Sequence, residues 1–144
     1  MDTAVKILQS HRLKNTRLRH AVLSELMQAE TGLSHQDISR SLSIDFDRVT
    51  LFRTLHAFEA AGILHKIIDL NGVARYAFTP QEEKSETGHA HFLCETCEAI
   101  FCLDYSLELK DIPVPRGFRK TGLVLQVKGI CAACRQKSIL SKNN

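Results

Sequence analysis

Cys94-Glu-Thr-Cys97 and Cys131-Ala-Ala-Cys134 are two C-x2-C pairs with 33 residues between them. Each pair can grip one Zn²⁺ through two sulfurs from a tight turn, and two pairs complete a closed tetrahedral site of four thiolates. One such pair would fit a thioredoxin-like redox couple or buried thiols equally well. Two in a short chain point to structural zinc, which contributes folding energy and leaves no open position for catalysis. Cys102 is left over, readable as a small buried apolar residue, a ligand or an oxidisable thiol. His89-Ala-His91 would place two imidazoles on one face of a strand, because side chains there repeat with period two. That is either a surface pair or half of a metal site. Its missing ligands must come from elsewhere, and His65 and Cys102 are the candidates. His11, His20, His35 and His56 lack comparable partners and read as helix-surface or core residues.

A second chemistry is phosphate neutralisation. Residues 11–20 read HRLKNTRLRH, with Arg12, Lys14, Arg17 and Arg19 and no acid. Binding to a nucleic-acid backbone needs such clustering more than it needs overall charge. Farther on, Arg48, Thr50 and Arg53 fall on the early turns of a candidate recognition helix, where exposed side chains reach base edges or phosphates. A single arginine of this kind more often just solvates a helix face; the whole set on one layout favours DNA.

These residues need elements to carry them. The 144 residues, 44% apolar, suffice for one compact domain or two very small ones. The composition also excludes broad classes. A net charge of +3 is no polycation, no apolar run reaches the length of a membrane span, and MDTAVKILQSHR is no secretory signal. A reducing cytoplasm is therefore expected, with structural disulfides disfavoured. The lack of Trp and the 6% of aromatics argue against a large aromatic-lined site. The character changes at Thr79-Pro80: residues 1–79 hold no Cys or Pro, and all five Cys and three Pro follow. The expectation is a domain over 1–79, a polar linker over 80–88 and a second domain over 89–144.

In the first half, a short amphipathic segment runs from about Ala4 to Gln9. Asn15-Thr16 can cap a helix carrying Leu18, Val22, Leu26 and Ala29. Ser34-His-Gln-Asp37 has capping-box spacing ahead of Ile38 and Leu42. Asp45 or Asp47 can cap a helix with Leu51, Leu55 and Phe58 inside, stopped by Gly62. Ile63 to Asp69 and Val73 to Phe78, joined by Asn71-Gly72, read as a β-hairpin. Three helices and a hairpin make a winged helix-turn-helix, although small helical units also bind proteins. The second half reads as strand edges at Phe92-Leu93 and Ile100 to Leu103, a short helix from Asp104 or Ser106 to Lys110, and a half-buried strand over Phe118 to Lys128. So small an α/β unit needs metal, a partner subunit, or both. The fold class is α+β: a winged helix followed by a small α/β dimerisation domain with a four-cysteine zinc site.

The chain resembles the ferric uptake regulator (Fur) family of bacterial metal-responsive repressors over nearly its whole length. The resemblance rests on Leu13-Lys-Asn-Thr-Arg-Leu-Arg19; on Val49-Thr-Leu-Phe-Arg-Thr-Leu55, similar to the family's A-T-V-Y-R-T-L recognition helix; and on Ala61-Gly-Ile-Leu-His65. It continues in His89-Ala-His-Phe-Leu-Cys-Glu-Thr-Cys97, Gly117-Phe118 and Gly129-Ile-Cys-Ala-Ala-Cys134. It implies a homodimer that reads AT-rich palindromic double-stranded DNA, with metal at an interdomain site setting the angle between the DNA-binding domains. It implies a minor-groove role for Lys14 and base or phosphate contacts from Phe52, where a tyrosine is usual, and Arg53. Cys94, Cys97, Cys131 and Cys134 match the family's structural zinc tetrad.

The sensing site departs from the family pattern. Thr31-Gly-Leu-Ser34 lacks the histidine usual before the third helix, Ala77 replaces a carboxylate, and Cys102 stands where Glu or Asp is usual. His65, His89, His91 and Cys102 would give three nitrogens and a sulfur, a set suited to Zn²⁺ more than to Fe²⁺ or Mn²⁺. The resemblance thus implies a repressor leaning to zinc, with an iron-responsive or peroxide-sensing regulator as the alternative. Outside this class, a small zinc hydrolase lacks an evident general base.

Overall fold

The computed structural model describes residues 2–80, 88–107 and 109–142. The chain forms two compact units, Met1–Lys84 and Ser85–Asn144. Residues 81–87 of the expected linker lie outside the described residues, and Gly88 already begins a strand.

The first unit runs α1 (Thr3–Ser10), α2 (Arg17–Gln28), β1 (Leu33–Ser34), α3 (His35–Ser41), α4 (Arg48–Ala60), β2 (Leu64–Ile68) and β3 (Ala74–Phe78). Each α-helix begins where a short polar side chain can accept from an otherwise unpaired N–H. Asp2, Thr16, Ser34 and Asp47 do this for α1 to α4. At α3 the box is reciprocal: the Asp37 N–H donates to Ser34 Oγ at 3.1 Å and the Ser34 N–H to Asp37 Oδ2 at 2.9 Å. The periodic apolar residues Leu18, Val22, Leu26, Ile38, Leu51, Leu55 and Phe58 share one core with Leu8, Leu23, Ile63, Leu64 and Tyr76. Gly62 follows α4 with φ 74°, a conformation costly for any residue with a Cβ.

The expected hairpin is β2 and β3, paired antiparallel with His65 opposite Ala77. Beyond the sequence expectation, β1 adds a third strand to give the order β1-β3-β2. Two residues leave too little periodicity to be read from sequence. The tip between β2 and β3 is organised by Asp69, whose Oδ1 accepts from the Asn71 and Val73 N–H groups at 2.8 and 2.9 Å. Asp69 Oδ2 accepts from Arg75 Nε at 3.0 Å, and Arg75 Nη1 also donates to Asp37 Oδ2 at 3.3 Å and to the Gly32 carbonyl at 3.4 Å.

The second unit holds β4 (Gly88–Cys94), β5 (Ile100–Leu107), a 3₁₀ turn (Leu109–Asp111), β6 (Leu125–Gly129) and α5 (Ala132–Lys142). The sheet order is β5-β4-β6, with β4 antiparallel to β5 and parallel to β6. Three expectations change. The short helix from Asp104 or Ser106 is instead the end of β5, because pairing with β4 outweighs a local cap signal. The strand expected from Phe118 begins only at Leu125, since β4 offers β6 partners from Ala90 onward. The helix α5 had no counterpart in the sequence reading.

Burial pushes the Asp69 carboxyl up, but the Val73 and Asn71 N–H groups and Arg75 outweigh it and hold the carboxyl below its usual range. A depressed carboxylate contributes stability above its unfolded value of about 3.9, lost as pH falls through the folded one. Replacement Asp69→Ala removes these bonds, and chemical denaturation at pH 7 should show a loss of about 2 kcal/mol or more. The difference from the unsubstituted chain should shrink below pH 4.

Candidate metal centres and nucleic-acid face

Cys94 ends β4, and the chain turns back at once: the Glu98 N–H donates to the Cys94 carbonyl and the Cys94 N–H to the Ala99 carbonyl, both at 3.0 Å. Glu98 takes φ 66° to make this turn. The parallel pairing sets Gly129 beside Cys94, and the Glu95 N–H donates to the Gly129 carbonyl at 2.8 Å. Two residues later Cys131 arrives, its N–H on Cys94 Sγ at 3.3 Å. The Sγ atoms of Cys94, Cys97, Cys131 and Cys134 all lie within 4.8 Å of one another, with Cys97 and Cys131 at 3.8 Å. None of these four is in a disulfide. Phe92 and Phe101 pack against the cluster.

The electrostatics of the cluster suit a cation. Backbone N–H groups of Cys97 and Cys131 pull the Cys94 thiol down to about 6. Hydrogen bonding with Cys131, burial and the other sulfurs push Cys134 up to about 12. Cys94 thus takes a negative charge readily while Cys134 resists one, until a divalent ion replaces its thiol proton. Four sulfurs without carboxylate or imidazole fit tetrahedral Zn²⁺, which would have no open coordination position here.

Of the residues expected at a second metal site, His91 and Cys102 face each other directly across β4 and β5. A ring nitrogen of His91 and the Cys102 sulfur lie within 4.8 Å. His91 is only 6% exposed, whereas Cys102 is accessible. The pairing of β4 with β5 shifts register between His89, opposite Ser106, and Ala90, opposite Leu103, with the extra residues on β5. The His89 side chain lies outside what is described. His65, on β2 of the first unit, has Nδ1 at 2.7 Å from Thr79 Oγ1. Ala77, opposite it, provides no ligand.

On the first unit, α4 buries Leu51, Thr54, Leu55 and Phe58 and exposes Arg48, Thr50, Phe52 and Arg53. The residues named from sequence on this helix therefore share its accessible side. Thr50 is committed to the cap, its N–H and hydroxyl both donating to Asp47 at 2.7 Å. Lys14 is exposed, and Arg19 Nη1 donates to its carbonyl at 3.2 Å, bracing the turn ahead of α2. Sequence reasoning missed His35, whose ring stacks on Phe52 with centroids 3.9 Å apart and 22° between planes. The two are far apart along the chain, and no periodicity links them. The Arg48 guanidinium carbon lies 5.8 Å from the Phe52 ring centre.

The family model described as the ferric uptake regulator family matches residues 10–115. A peroxide-responsive repressor of Staphylococcus aureus (strain Mu50) is 24% identical over 144 residues, spanning 95% of this chain and 93% of that protein. Among solved structures, a zinc uptake regulator complexed with zinc and DNA superposes with TM-score 0.68 at 20% identity, covering 94% of this chain and 93% of that one. The Vibrio cholerae ferric uptake regulator gives TM-score 0.62 at 22% identity, covering 88% and 98%.

Two outcomes are expected. A Cβ on Gly129 would meet the Phe92 ring at 2.9 Å, so Gly129→Ala should destabilise the second unit by about 1–3 kcal/mol in denaturant titrations. Burial lowers the His35 pKa; a hydrogen bond to the Arg48 backbone opposes this and the Arg48 charge adds to it. Its stabilising contribution is then present above about pH 6.5 and lost as pH falls toward the depressed folded value. Thermal midpoints measured from pH 7.5 to 5 should fall further for the unsubstituted chain than for His35→Phe.

Proposed function

The chain belongs to the ferric uptake regulator family, and from that premise we propose that it is a zinc-responsive repressor that binds AT-rich palindromic DNA as a homodimer. The coarser reading, a metal-responsive DNA-binding regulator and not an enzyme, follows from the family itself. The finer reading rests on one observation: the Cys102 sulfur opposes the buried His91 imidazole across β4 and β5. Nitrogen and sulfur donors without a carboxylate favour Zn²⁺ over Fe²⁺ or Mn²⁺. We assign His65, His89, His91 and Cys102 as the regulatory ligands, and Cys94, Cys97, Cys131 and Cys134 as the structural zinc ligands. Lys14, Arg19, Arg48, Phe52 and Arg53 are the proposed DNA contacts, with Thr50 holding the start of α4. The neighbour solved with zinc and DNA agrees in fold with this reading.

The homodimer is supported by the apolar surface of the second unit, where Phe118, Val124, Ile130 and Leu140 are all exposed. A cytoplasmic location is proposed on the same family ground. No helix among the described residues is long and apolar enough to cross a membrane.

Regulation requires that metal bind the DNA-competent form better than the other, since equal affinity shifts nothing. Gel shifts against AT-rich palindromic duplexes should show binding with Zn²⁺ that is lost with chelator and weaker with Fe²⁺. Elemental analysis should find two zinc ions per chain, one removed by mild chelation. The variant Cys102→Ser should lose the labile ion and its DNA response while keeping the tight one. A peroxide-responsive reading is favoured by the relatives from Staphylococcus aureus and Staphylococcus saprophyticus, which are peroxide-responsive repressors. It predicts iron-dependent binding abolished by hydrogen peroxide, and the same gel shifts discriminate.

A further inference from the structure

Phe52 is a large apolar side chain standing 45% exposed on the accessible side of α4, among Arg48 and Arg53. An exposed phenylalanine at a helix surface would normally exchange rotamers, and whatever it recognised would have to meet the cost of arresting it. Here it is already held. His35, the first residue of α3, stacks on its ring at 3.9 Å and 22°, while the Arg48 guanidinium carbon lies 5.8 Å from the ring centre. The pair lines an open cleft of about 710 Å³ that also takes in Phe46, Val73 and Tyr76.

The His35 ring is an unusual choice for this place. Its Nε2 is buried and has no hydrogen-bond partner among the described residues. Leaving a buried ring nitrogen unsatisfied is unfavourable, and an apolar ring would avoid it. The ring's hydrogen bond to the Arg48 backbone ties it to the start of α4, and the flat face it presents there packs on Phe52. Arg48, on the same ring, opposes a second positive charge there.

We propose that His35 is a positioning residue that locks Phe52 as a reader of one thymine methyl group in each half-site of the DNA. Apolar contact with the C5-methyl is the one signal on a thymine edge that a phenylalanine can read, since its ring has no donor or acceptor. The cations nearby bring phosphates close without reading sequence. Stacking by His35 turns this contact from a transient one into a fixed one. The inference rests on the DNA-binding reading above.

The test uses the full-length, zinc-loaded protein and an AT-rich palindromic duplex selected by the unsubstituted chain. Each thymine is replaced in turn by uracil, which removes only the methyl group. One symmetric thymine position is expected to weaken binding about four-fold per half-site, the worth of one buried methyl group. In His35→Ala the uracil penalty should fall below about two-fold, while binding to non-cognate duplex is unchanged. His35→Phe should restore the penalty, because it keeps the stacking face, and His35→Gln should not. Far-ultraviolet circular dichroism and the zinc content of each variant confirm that it is folded. A penalty of the same size in folded His35→Ala or His35→Gln would overturn the proposal, as would a selected duplex with no uracil-sensitive position. If the unsubstituted protein selects no DNA with or without metal, the DNA-binding reading fails first, and this inference fails with it.

Discussion

Two cysteine turns meet in the second unit because β6 runs parallel to β4 with Gly129 opposite Cys94. Everything else in this unit takes its register from that meeting. The turn from Cys94 to Ala99 is also the reversal between β4 and β5, so it decides that Leu93 faces Ile100, Phe92 faces Phe101 and His91 faces Cys102. A slip of one residue would bring His91 against an aromatic or aliphatic neighbour instead of a thiol. A sheet of three strands with one C-terminal helix buries too little apolar surface to enforce this alone. Metal at the four sulfurs would therefore do more than stabilise: it would hold the register on which the His91–Cys102 pair depends.

The winged unit is built differently. It has a continuous apolar core and a capping side chain at the start of each helix, and none of its residues belongs to the four-sulfur cluster. Its cations gather on α4, in the turn before α2 and on the first turn of α2. The modest net charge of the chain thus conceals a local concentration where phosphates would lie.

Local physics determined what could be read from the sequence. Caps at Thr16, Ser34 and Asp47 were legible because a side chain and an N–H three residues away suffice to define them. The cysteine tetrad was legible because metal chemistry restricts spacing tightly. Features that depend on distant pairing were not. β1 exists only because β3 passes beside it, and Asp104 to Leu107 is strand only because β4 is there. His35 is the clearest case: read as a surface or core histidine, it became part of the candidate DNA face only once α3 and α4 were set side by side.

Arg75 has one further consequence. Its guanidinium ties the tip of the wing at Asp69 to the cap of α3 at Asp37 and to the carbonyl of Gly32. A wing of this length could have been a loose flap that stiffens only against its target. Braced within itself at Asp69 and fastened at two points outside the hairpin, Asp37 and Gly32, it has surrendered much of that freedom during folding. Association with a partner then loses correspondingly less entropy at the wing, and the shape it presents is largely settled before any encounter.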